Sequence, residues 1–329
     1  MGGDRGSSAD LELLTVGRIS IDLYCDQLGA DWHAARTFQK AVGGSPTNVA
    51  IAAARLGRAA AVATKVGEDP LGEVALAELR EFGVDLRYTA VQPGTVTPIA
   101  FALLDPPEDP TLWFRRDPPV PDFQIPVGHV DRDTIAAVPV LWVSAGSLSQ
   151  EPSRSAVEAM LRDRGRREHT ILDLDYRPSF WRSREEARAQ IGAAVAHATV
   201  AVGNREECEV AVGTGDPREA AARLLERGVQ LAIVKLGGDG ALMATAGVEH
   251  LIAPPAIDVL CGLGAGDAFG GALCHGLLSG WPPQRAVAFA NAAGGIVASR
   301  LLCSQAMPFE HEVLELLGQD LQNAGEVRV

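Results

Sequence analysis

Apolar runs with the composition of buried strands recur along the chain, at 11–24, 59–67, 139–148, 170–174, 199–203 and 231–236. Several are followed by helical segments that open on a capping residue, such as Asp69 before Pro70 and Asp216 before Pro217. Strands that alternate with helices predict an α/β fold, in which a parallel sheet is covered by helices on both faces.

The helical spacing disappears between residues 87 and 126. Three short β-prone runs, at 88–91, 98–104 and 111–116, are separated there by Pro-rich breaks that exclude a continuous helix. We expect these runs to form a small antiparallel sheet, joined by the strand around Ile19–Leu23 and the segment near Phe38. Such a sheet, from about 17–40 and 87–126, could serve as a lid or, through its exposed face, as a homodimer interface.

The formal net charge of the 329 residues is −13. This charge argues against nucleic acid or an anionic membrane as the main partner, because such surfaces bind clustered Lys and Arg. No apolar run approaches the roughly 20 residues that span a bilayer. Residues 1–10 are polar and Gly/Ser-rich, which predicts a disordered leader, and 321–329 are expected to form a frayed tail.

The cysteines are five in number and scattered, at 25, 208, 261, 274 and 303, with no CxxC pair. This pattern predicts reduced structural thiols and indicates neither a zinc site nor a disulfide framework. We therefore expect a cytoplasmic protein.

The richest candidate chemistry lies at 262–271, where glycines alternate with small apolar residues ahead of Asp267. Glycines allow close approach and a helix N-terminus has unpaired N–H groups, so Gly264, Ala265 and Gly266 form a candidate anion seat. Asp267 would lie beside this seat and could take a proton from a hydroxyl that attacks a phosphate. Alternatively, it only complements the helix dipole. The stretch matches neither the dinucleotide fingerprint nor the Walker pattern.

A second candidate group combines Asp22 with a glycine pair. Asp22 lies near the end of the first apolar run, and ligands of α/β sheets bind at the carboxyl ends of strands. Gly43 and Gly44 precede a helix for which Ser45 suits the N-cap, and they would let a ligand lie against the backbone. Asn48 offers a donor and an acceptor to a polyol. A turn-forming Asp and a plain capped helix are the structural alternatives.

Charged residues also follow the predicted strand at 170–174. Asp173 and Asp175 precede Arg177, which could grip a carboxylate in bidentate fashion or pair with one of the two acids. Arg116 ends a β-prone run, where a solvated arginine is the ordinary interpretation unless an anionic ligand lies nearby.

Three further segments have polar residues at predicted turns or in apolar surroundings. Asn204 and Glu207 suit the N-cap and first turn of a helix. Gly237 and Gly240 lie in a turn that fits either a nucleotide or a hairpin. Asn291 is a polar residue in an Ala-rich helical segment.

These segments together resemble the ribokinase-like (PfkB) family of carbohydrate kinases over nearly the whole chain. The resemblance rests on patterns found in this order: Gly17-x-x-Ser20-x-Asp22, Gly43-Gly44-x-x-x-Asn48, Asn204-x-x-Glu207, Gly237-x-x-Gly240 and Gly264-Ala265-Gly266-Asp267. It implies a Rossmann-like α/β domain over 11–320 with a small β-sheet lid. It also implies ATP and Mg2+ as cofactors, and transfer of a phosphoryl group to a sugar hydroxyl.

The resemblance implies a role for each matching residue. Asp267 resembles the catalytic base, and the N–H groups of Gly264, Ala265 and Gly266 resemble the anion hole. The residues that match sugar binders are Asp22, Gly43, Gly44 and Asn48. The residues that match the nucleotide site are Asn204, Lys235, Gly237, Gly240 and Asn291, and Glu207 matches a residue that organises Mg2+ through water.

Within the family, the runs at 112–116, 173–178, 263–267 and 303–308 resemble the 5-dehydro-2-deoxygluconokinase branch of inositol catabolism. The substrate of that branch is a keto-acid sugar, which implies Arg116 and Arg177 as candidate carboxylate clamps and Asp173 as a substrate-binding residue. Kinases of 2-keto-3-deoxygluconate or of neutral sugars such as fructose and ribose are the alternatives. A catalytically silent sensor of sugar or nucleotide is the alternative of another class.

One position departs from the family pattern. Many members have an Asp three residues before the first Gly of the Gly-Ala-Gly-Asp motif, where it helps to bind a monovalent cation, and here Cys261 replaces it. A neutral thiol is a poor ligand for K+. The resemblance therefore leaves K+ dependence open, because main-chain carbonyls could still serve.

Overall fold

The computed structural model describes residues 11–326, so the leader predicted for 1–10 and residues 327–329 of the predicted tail lie outside the described residues. The described strands are β1 (Leu13–Val16), β2 (Ser20–Cys25), β3 (Phe38–Gly43), β4 (Ala60–Gly67), β5 (Thr89–Gln92), β6 (Ile99–Leu103), β7 (Thr111–Arg115), β8 (Val140–Ser144), β9 (Thr170–Asp173), β10 (Val200–Asn204), β11 (Leu231–Lys235), β12 (Ala241–Thr245) and β13 (Val248–Ile252). The described α-helices are α1 (Ser45–Arg55), α2 (Pro70–Glu81), α3 (Arg132–Ala137), α4 (Ser153–Arg164), α5 (Arg184–Val195), α6 (Arg205–Val212), α7 (Pro217–Glu226), α8 (Ala265–Leu278), α9 (Pro283–Ala298) and α10 (Glu310–Glu326).

The larger sheet confirms the predicted α/β fold. Its strands follow the order β13-β12-β11-β10-β9-β8-β1-β4-β5. The strands from β11 to β5 are parallel, and β12 and β13 add an antiparallel edge. Along β8, Leu141 and Val143 pack into the core on one face, and Val140 and Trp142 pack into the core on the other. This alternation explains why helices cover both faces of the sheet.

The first apolar run forms two strands rather than one. β1 lies in the larger sheet between β4 and β8, whereas β2 lies in the smaller sheet. The chain separates the two strands at Gly17, which has a φ of 139°. Asp22 therefore projects from a strand of the small sheet and not from the end of a strand in the larger one.

The small sheet has the order β3-β2-β6-β7 and includes the regions near Ile19–Leu23 and Phe38, as predicted. The prediction of an antiparallel sheet is wrong at one pair, because β2 and β6 are parallel. The run at 88–91 is also not part of this sheet, since β5 pairs with β4 in the larger one. The segment 87–126 therefore contributes two strands, β6 and β7, to the predicted lid.

Two glycines of α8 bring that helix close to its neighbours. A Cβ at Gly270 would lie 2.7 Å from Trp142 of β8, and a Cβ at Gly271 would overlap Ala52 of α1. Their absence of side chains lets α8 pack directly on α1 and the sheet. The first turns of α1 and α8 consequently lie side by side, and the site is built there.

Within residues 11–326, no helix combines the length and the apolar character needed to cross a bilayer.

Candidate active site

The predicted anion seat lies at the N-terminus of α8. Gly264 precedes the helix with a φ of 80°, in the left-handed region that favours glycine. A Cβ at Gly264 would also overlap the thiol of Cys303. Among the described residues, no side chain caps this helix, so the first N–H groups, including those of Ala265 and Gly266, are available to an anion.

Asp267 lies in the first turn of α8 and is held from α1. Its Oδ2 accepts a hydrogen bond of 2.8 Å from Nδ2 of Asn48. Burial raises the pKa of Asp267, and hydrogen bonding to Asn48 and Ser45 partly opposes this rise. A carboxylate with a raised pKa accepts a proton from a hydroxyl more readily than an exposed one.

Asp22 on β2 and Gly43 on β3 lie diagonally across the strand pair, in which Gly43 is opposite Ser20. A Cβ at Gly43 would overlap the Asp22 carboxylate, so the glycine makes room for that group. Oδ1 of Asp22 accepts a hydrogen bond of 2.6 Å from the Ser20 hydroxyl. Burial raises the pKa of Asp22 to about 6, although Ser20 and Arg18 lower it, and the negative charge of Asp267 adds to the rise. The two carboxyl groups are therefore close enough for their charges to interact.

The start of α1 differs from the prediction in one respect. Gly44, with a φ of 98°, is the N-cap, and Ser45 is the first helical residue. A Cβ at Gly44 would overlap the main chain of Arg18. Released from capping, the Ser45 hydroxyl donates a hydrogen bond of 3.2 Å to Oδ2 of Asp173, which links α1 to the end of β9.

Asp173 is a buried acid at this same edge of the larger sheet. Burial raises its pKa to about 7, Lys235 lowers it, and the neighbouring charges of Asp175, Glu207 and Asp267 raise it further. Near neutral pH both forms of Asp173 are populated, so the group can accept a hydrogen bond from a sugar hydroxyl or donate one.

Asp175 is the centre of a buried charge cluster. Its Oδ2 contacts the Arg18 guanidinium and accepts a hydrogen bond of 2.7 Å from the Ser144 hydroxyl, and its Oδ1 lies 3.3 Å from Nε of Arg177. Burial alone would raise the pKa of Asp175, but Arg18, Arg177 and Ser144 hold it well below its usual range. The ion pair considered as the alternative role of Arg177 is thus present. The Arg177 side chain nevertheless remains 41% exposed.

Arg116 is held inside the protein. It forms an ion pair with Asp122, and the two side chains are 8% and 0% exposed. Its guanidinium also lies 4.7 Å from the ring centre of Phe123 and 5.0 Å from that of Phe180. Among the described residues, its Nε has no hydrogen-bond partner.

The predicted nucleotide side contains Asn204, Glu207 and Lys235. Asn204 and Glu207 form a capping box, in which the N–H of Glu207 donates a hydrogen bond of 2.9 Å to Oδ1 of Asn204 and the N–H of Asn204 donates one of 2.7 Å to Oε2 of Glu207. Lys235 Nζ lies 4.0 Å from Oε2 of Glu207 and would lie 3.3 Å from a Cβ at Gly266. Burial would lower the Lys235 pKa, but Glu207, Asp173 and Asp267 raise it, so a charged ammonium lies beside the anion seat.

Gly237 and Gly240 lie between β11 and β12, which are antiparallel and confirm the hairpin. Both glycines have positive φ values, of 60° and 91°. Asn291 on α9 donates a hydrogen bond of 2.8 Å to the carbonyl of Ile252. The contacts of Gly237, Gly240 and Asn291 described here are structural. Their contacts with a nucleotide remain a prediction.

The Cys261 thiol is buried, and burial raises its pKa. It therefore remains protonated at neutral pH and is a poor ligand for K+.

Sequence reasoning missed Arg18, although the sequence contains a signal for it. Arg18 is a lone cation inside the apolar run at 11–24, and a buried cation needs a buried partner. Its partner Asp175 is distant in sequence, and pairing them required the fold. Among the other predicted residues, Asn48 contacts Asp267 and Lys235 lies near Glu207. The charges of Glu207, Asp267 and Asp173 also act on Arg177, and the charge of Asp267 acts on Asp22.

Comparison with known proteins gives consistent results. Residues 10–310 match the model of the pfkB family carbohydrate kinases. A 5-dehydro-2-deoxygluconokinase of Geobacillus kaustophilus (strain HTA426) is 32% identical over 318 residues, which cover 94% of each chain. A protein of the same name from Geobacillus thermodenitrificans (strain NG80-2) is 33% identical over 307 residues, covering 91% of this chain and 90% of the relative.

Solved structures resemble the fold closely. An Escherichia coli protein assigned as a ribokinase II, in complex with ATP and Mg2+, has a TM-score of 0.84 at 22% identity and covers 94% of this chain and 99% of its own. A Vibrio cholerae O395 fructokinase with fructose, ADP and calcium bound has a TM-score of 0.82 at 25% identity, with the same coverage. Because the family match spans nearly the whole chain, this protein belongs to the pfkB family of carbohydrate kinases.

Proposed function

We propose that this chain transfers the terminal phosphoryl group of ATP to 5-dehydro-2-deoxy-D-gluconate and forms its 6-phosphate. The observation that carries the proposal is the buried Asp267 carboxylate, fixed by Asn48 at the open N-terminus of α8. The names of the Geobacillus relatives support this sugar acid as the substrate. The five cysteines are free thiols, which supports action in the cytoplasm.

Asp267 acts as the general base. As the substrate hydroxyl oxygen bonds to phosphorus, its proton passes to the Asp267 carboxylate, and the bond from phosphorus to the leaving ADP oxygen breaks. The N–H groups of Gly264, Ala265 and Gly266 and the Lys235 ammonium stabilise the negative charge on the transferred group. Most of the catalytic effect comes from this positioning and charge stabilisation.

Glu207 organises Mg2+ through water. One of its oxygens is engaged by the Asn204 N–H, and the described residues contain no cluster of three or more His, Cys, Asp or Glu side chains suited to a metal. This set fits an ion held mainly by nucleotide phosphates and water, which supplies neutralisation of phosphate charge when bound. The nucleotide is held by Asn204, Lys235, Gly237, Gly240 and Asn291.

The sugar acid occupies the opposite end of the site. Asp22, Asn48 and Asp173 bind its hydroxyl groups, and the absence of side chains at Gly43 and Gly44 leaves room for it. Arg177 binds its carboxylate, since among the described residues the terminal nitrogens Nη1 and Nη2 have no hydrogen-bond acceptor. Arg116 supports this end from its buried pair with Asp122.

The test is ATP-dependent ADP release, with Mg2+, on a panel of sugars and sugar acids. We expect turnover of 5-dehydro-2-deoxygluconate, and we expect Asp267→Asn to lower kcat by about 10²–10⁴-fold while ATP binding persists. Turnover of fructose, ribose or 2-keto-3-deoxygluconate instead would overturn the substrate and keep the base. ATP binding without turnover of any sugar would identify a sensor.

We also propose a homodimer through the outer face of the small sheet. Successive side chains of a strand point to opposite faces, so Phe101 and its cross-strand partner Trp113 share the face opposite to Phe114. Trp32 and Trp113 contact each other and are 47% and 51% exposed. Light scattering on Trp113→Lys should report a monomer, and an unchanged dimer would contradict this interface.

A further inference from the structure

Arg18 is a buried cation with no part in the steps proposed above. Only 4% of the residue is exposed, and its guanidinium contacts the Asp175 carboxylate. The guanidinium carbon also lies 4.9 Å from the ring centre of Phe180. Nε faces Gly146, where a Cβ would come within 3.0 Å. The side chain is thus confined by three neighbours and has little freedom to move.

Arg18 in turn fixes the orientation of Asp175. Oδ2 of Asp175 is engaged both by Arg18 and by the Ser144 hydroxyl, so the carboxylate cannot rotate without breaking two contacts. Its other oxygen, Oδ1, is directed to Nε of Arg177 at 3.3 Å. The contacts therefore connect Arg18 through Asp175 to Arg177.

The exposed guanidinium of Arg177 is suited to bind a carboxylate. With Nε of Arg177 at Asp175, the Nη1 and Nη2 edge of the guanidinium stays free for the two parallel hydrogen bonds that arginine makes to a carboxylate. Two guanidiniums also share one carboxylate here. The trio of Arg18, Asp175 and Arg177 has one net positive charge, but the carboxylates of Glu207, Asp267 and Asp173 also act on Arg177. Preference for an anionic sugar therefore comes from the directed hydrogen bonds of the Nη1 and Nη2 edge rather than from net charge.

We propose that Arg18 is a positioning residue for the substrate carboxylate, which it orders by fixing Asp175 and thereby Arg177. The inference rests on the proposed function and extends it, since it assigns selectivity for a sugar acid to a residue that does not touch the sugar. A purely structural ion pair would stabilise the fold without distinguishing charged from uncharged substrates.

The test compares the acid with an uncharged analogue. KM is measured for 5-dehydro-2-deoxygluconate, for its amide and for ATP, in the wild type, Arg18→Gln, Arg177→Gln and the double variant. We expect Arg18→Gln to raise KM for the acid by about 10- to 100-fold, with KM for the amide and for ATP within about twofold. The KM of the double variant for the acid should be no higher than that of Arg177→Gln. Arg18 acts only through Asp175 and Arg177, so the effects of the two substitutions on KM should not add.

Several outcomes would overturn the inference. These are an unchanged KM for the acid, an equal rise for acid and amide, or effects of the two arginine changes that multiply. If Arg18→Gln fails to fold, Asp175→Asn, which keeps the shape of the side chain, is expected to give the same pattern. A wild type that does not phosphorylate the acid would overturn the proposed function and, with it, this inference.

Arg154 offers a matched control. It pairs with Glu186 at 2.7 Å, both side chains are 18% exposed, and it contacts none of the residues assigned to the site. Arg154→Gln should leave all three KM values within about twofold of the wild type, even where it lowers stability.

Discussion

Arg164 and Arg18 are both buried arginines, at opposite ends of the parallel strands of the larger sheet, and their surroundings differ in kind. Arg164, at the end of α4, is 1% exposed and contacts no carboxylate among the described residues. Each of its nitrogens donates to an acceptor, and these acceptors are Thr170 Oγ1 and the carbonyls of Ile135, Val138, Pro139 and Glu168. Arg18 contacts Asp175, and its Nε has no acceptor among the described residues.

The difference would distinguish a structural arginine from one with the positioning role proposed for Arg18. Arg164 joins α3, α4 and the start of β9, and it donates to the buried carbonyls of Ile135 and Val138. Its contacts end within the protein. Arg18 leaves one donor unsatisfied, and the carboxylate it fixes continues to Arg177, which is 41% exposed. The burial of an arginine therefore does not by itself indicate its role. The role depends on its ion-pair and hydrogen-bond partners and on whether these contact an exposed residue.

The largest effect on stability is expected at Arg164. Arg164→Met should lower the free energy of unfolding by about 2–4 kcal/mol, because the buried carbonyls of Ile135 and Val138 lose this donor. KM for the sugar acid should stay within about twofold at temperatures where the variant is folded. Urea denaturation and steady-state kinetics on one preparation would check both values. A large rise in KM with unchanged stability would remove the contrast with Arg18.

A smaller effect, of opposite sign, is expected at Asp173. Burial raises its folded-state pKa to about 7, from 3.8 in the absence of the fold. The folded state therefore binds the proton more tightly, so the contribution of Asp173 to stability is present below pH 3.8 and is lost as pH rises through about 7. Asp173→Asn removes this loss, so the stability of the variant relative to the wild type should be about 2–3 kcal/mol greater at pH 8 than at pH 5.

Thermal or urea unfolding of both proteins across this pH range would measure the effect of Asp173→Asn. The variant should also bind the sugar acid more weakly, since the amide cannot replace both protonation states. A difference in stability that does not change between pH 5 and pH 8 would show that Asp173 does not titrate in this range. Stability gained with activity lost is the pattern of a functional site, in contrast to Arg164.

Local sequence signals predicted several features that the structure shows at this candidate site. The alternation of strands and helices predicted the larger sheet, and the glycines before Asp267 predicted an open helix N-terminus, which α8 has. Gly43 and Asp22 were each singled out separately. Their contact became evident only from the pairing of β2 with β3, because register between strands is not written in either strand alone.

The errors have physical causes of the same type. The run at 11–24 is apolar throughout, so nothing in its periodicity showed that β1 and β2 belong to different sheets. Ser45 has the chemistry of an N-cap, but Gly44 takes that position and the hydroxyl contacts Asp173 instead. In both cases a tertiary contact outweighed a local preference, and the contact joins segments that are distant along the chain.

The smallest expected effect concerns Arg115, the neighbour of Arg116 in sequence. Arg115 is 62% exposed and pairs at 3.0 Å with Asp117, which is 53% exposed, whereas Arg116 is 8% exposed beside Asp122. Exposed ion pairs contribute little because water and salt screen them. Arg115→Gln should change stability by less than about 0.5 kcal/mol and KM for the acid by less than about twofold.

Arg116→Gln, made in parallel, should raise KM for the acid and lower stability, because it leaves the Asp122 carboxylate buried without its cation. Equal changes in stability and in KM for the two variants would mean that burial beside Phe123 and Phe180 does not distinguish Arg116 from Arg115. The contrast between structural arginines and arginines of the site would then fail for two neighbouring arginines that the sequence alone does not distinguish.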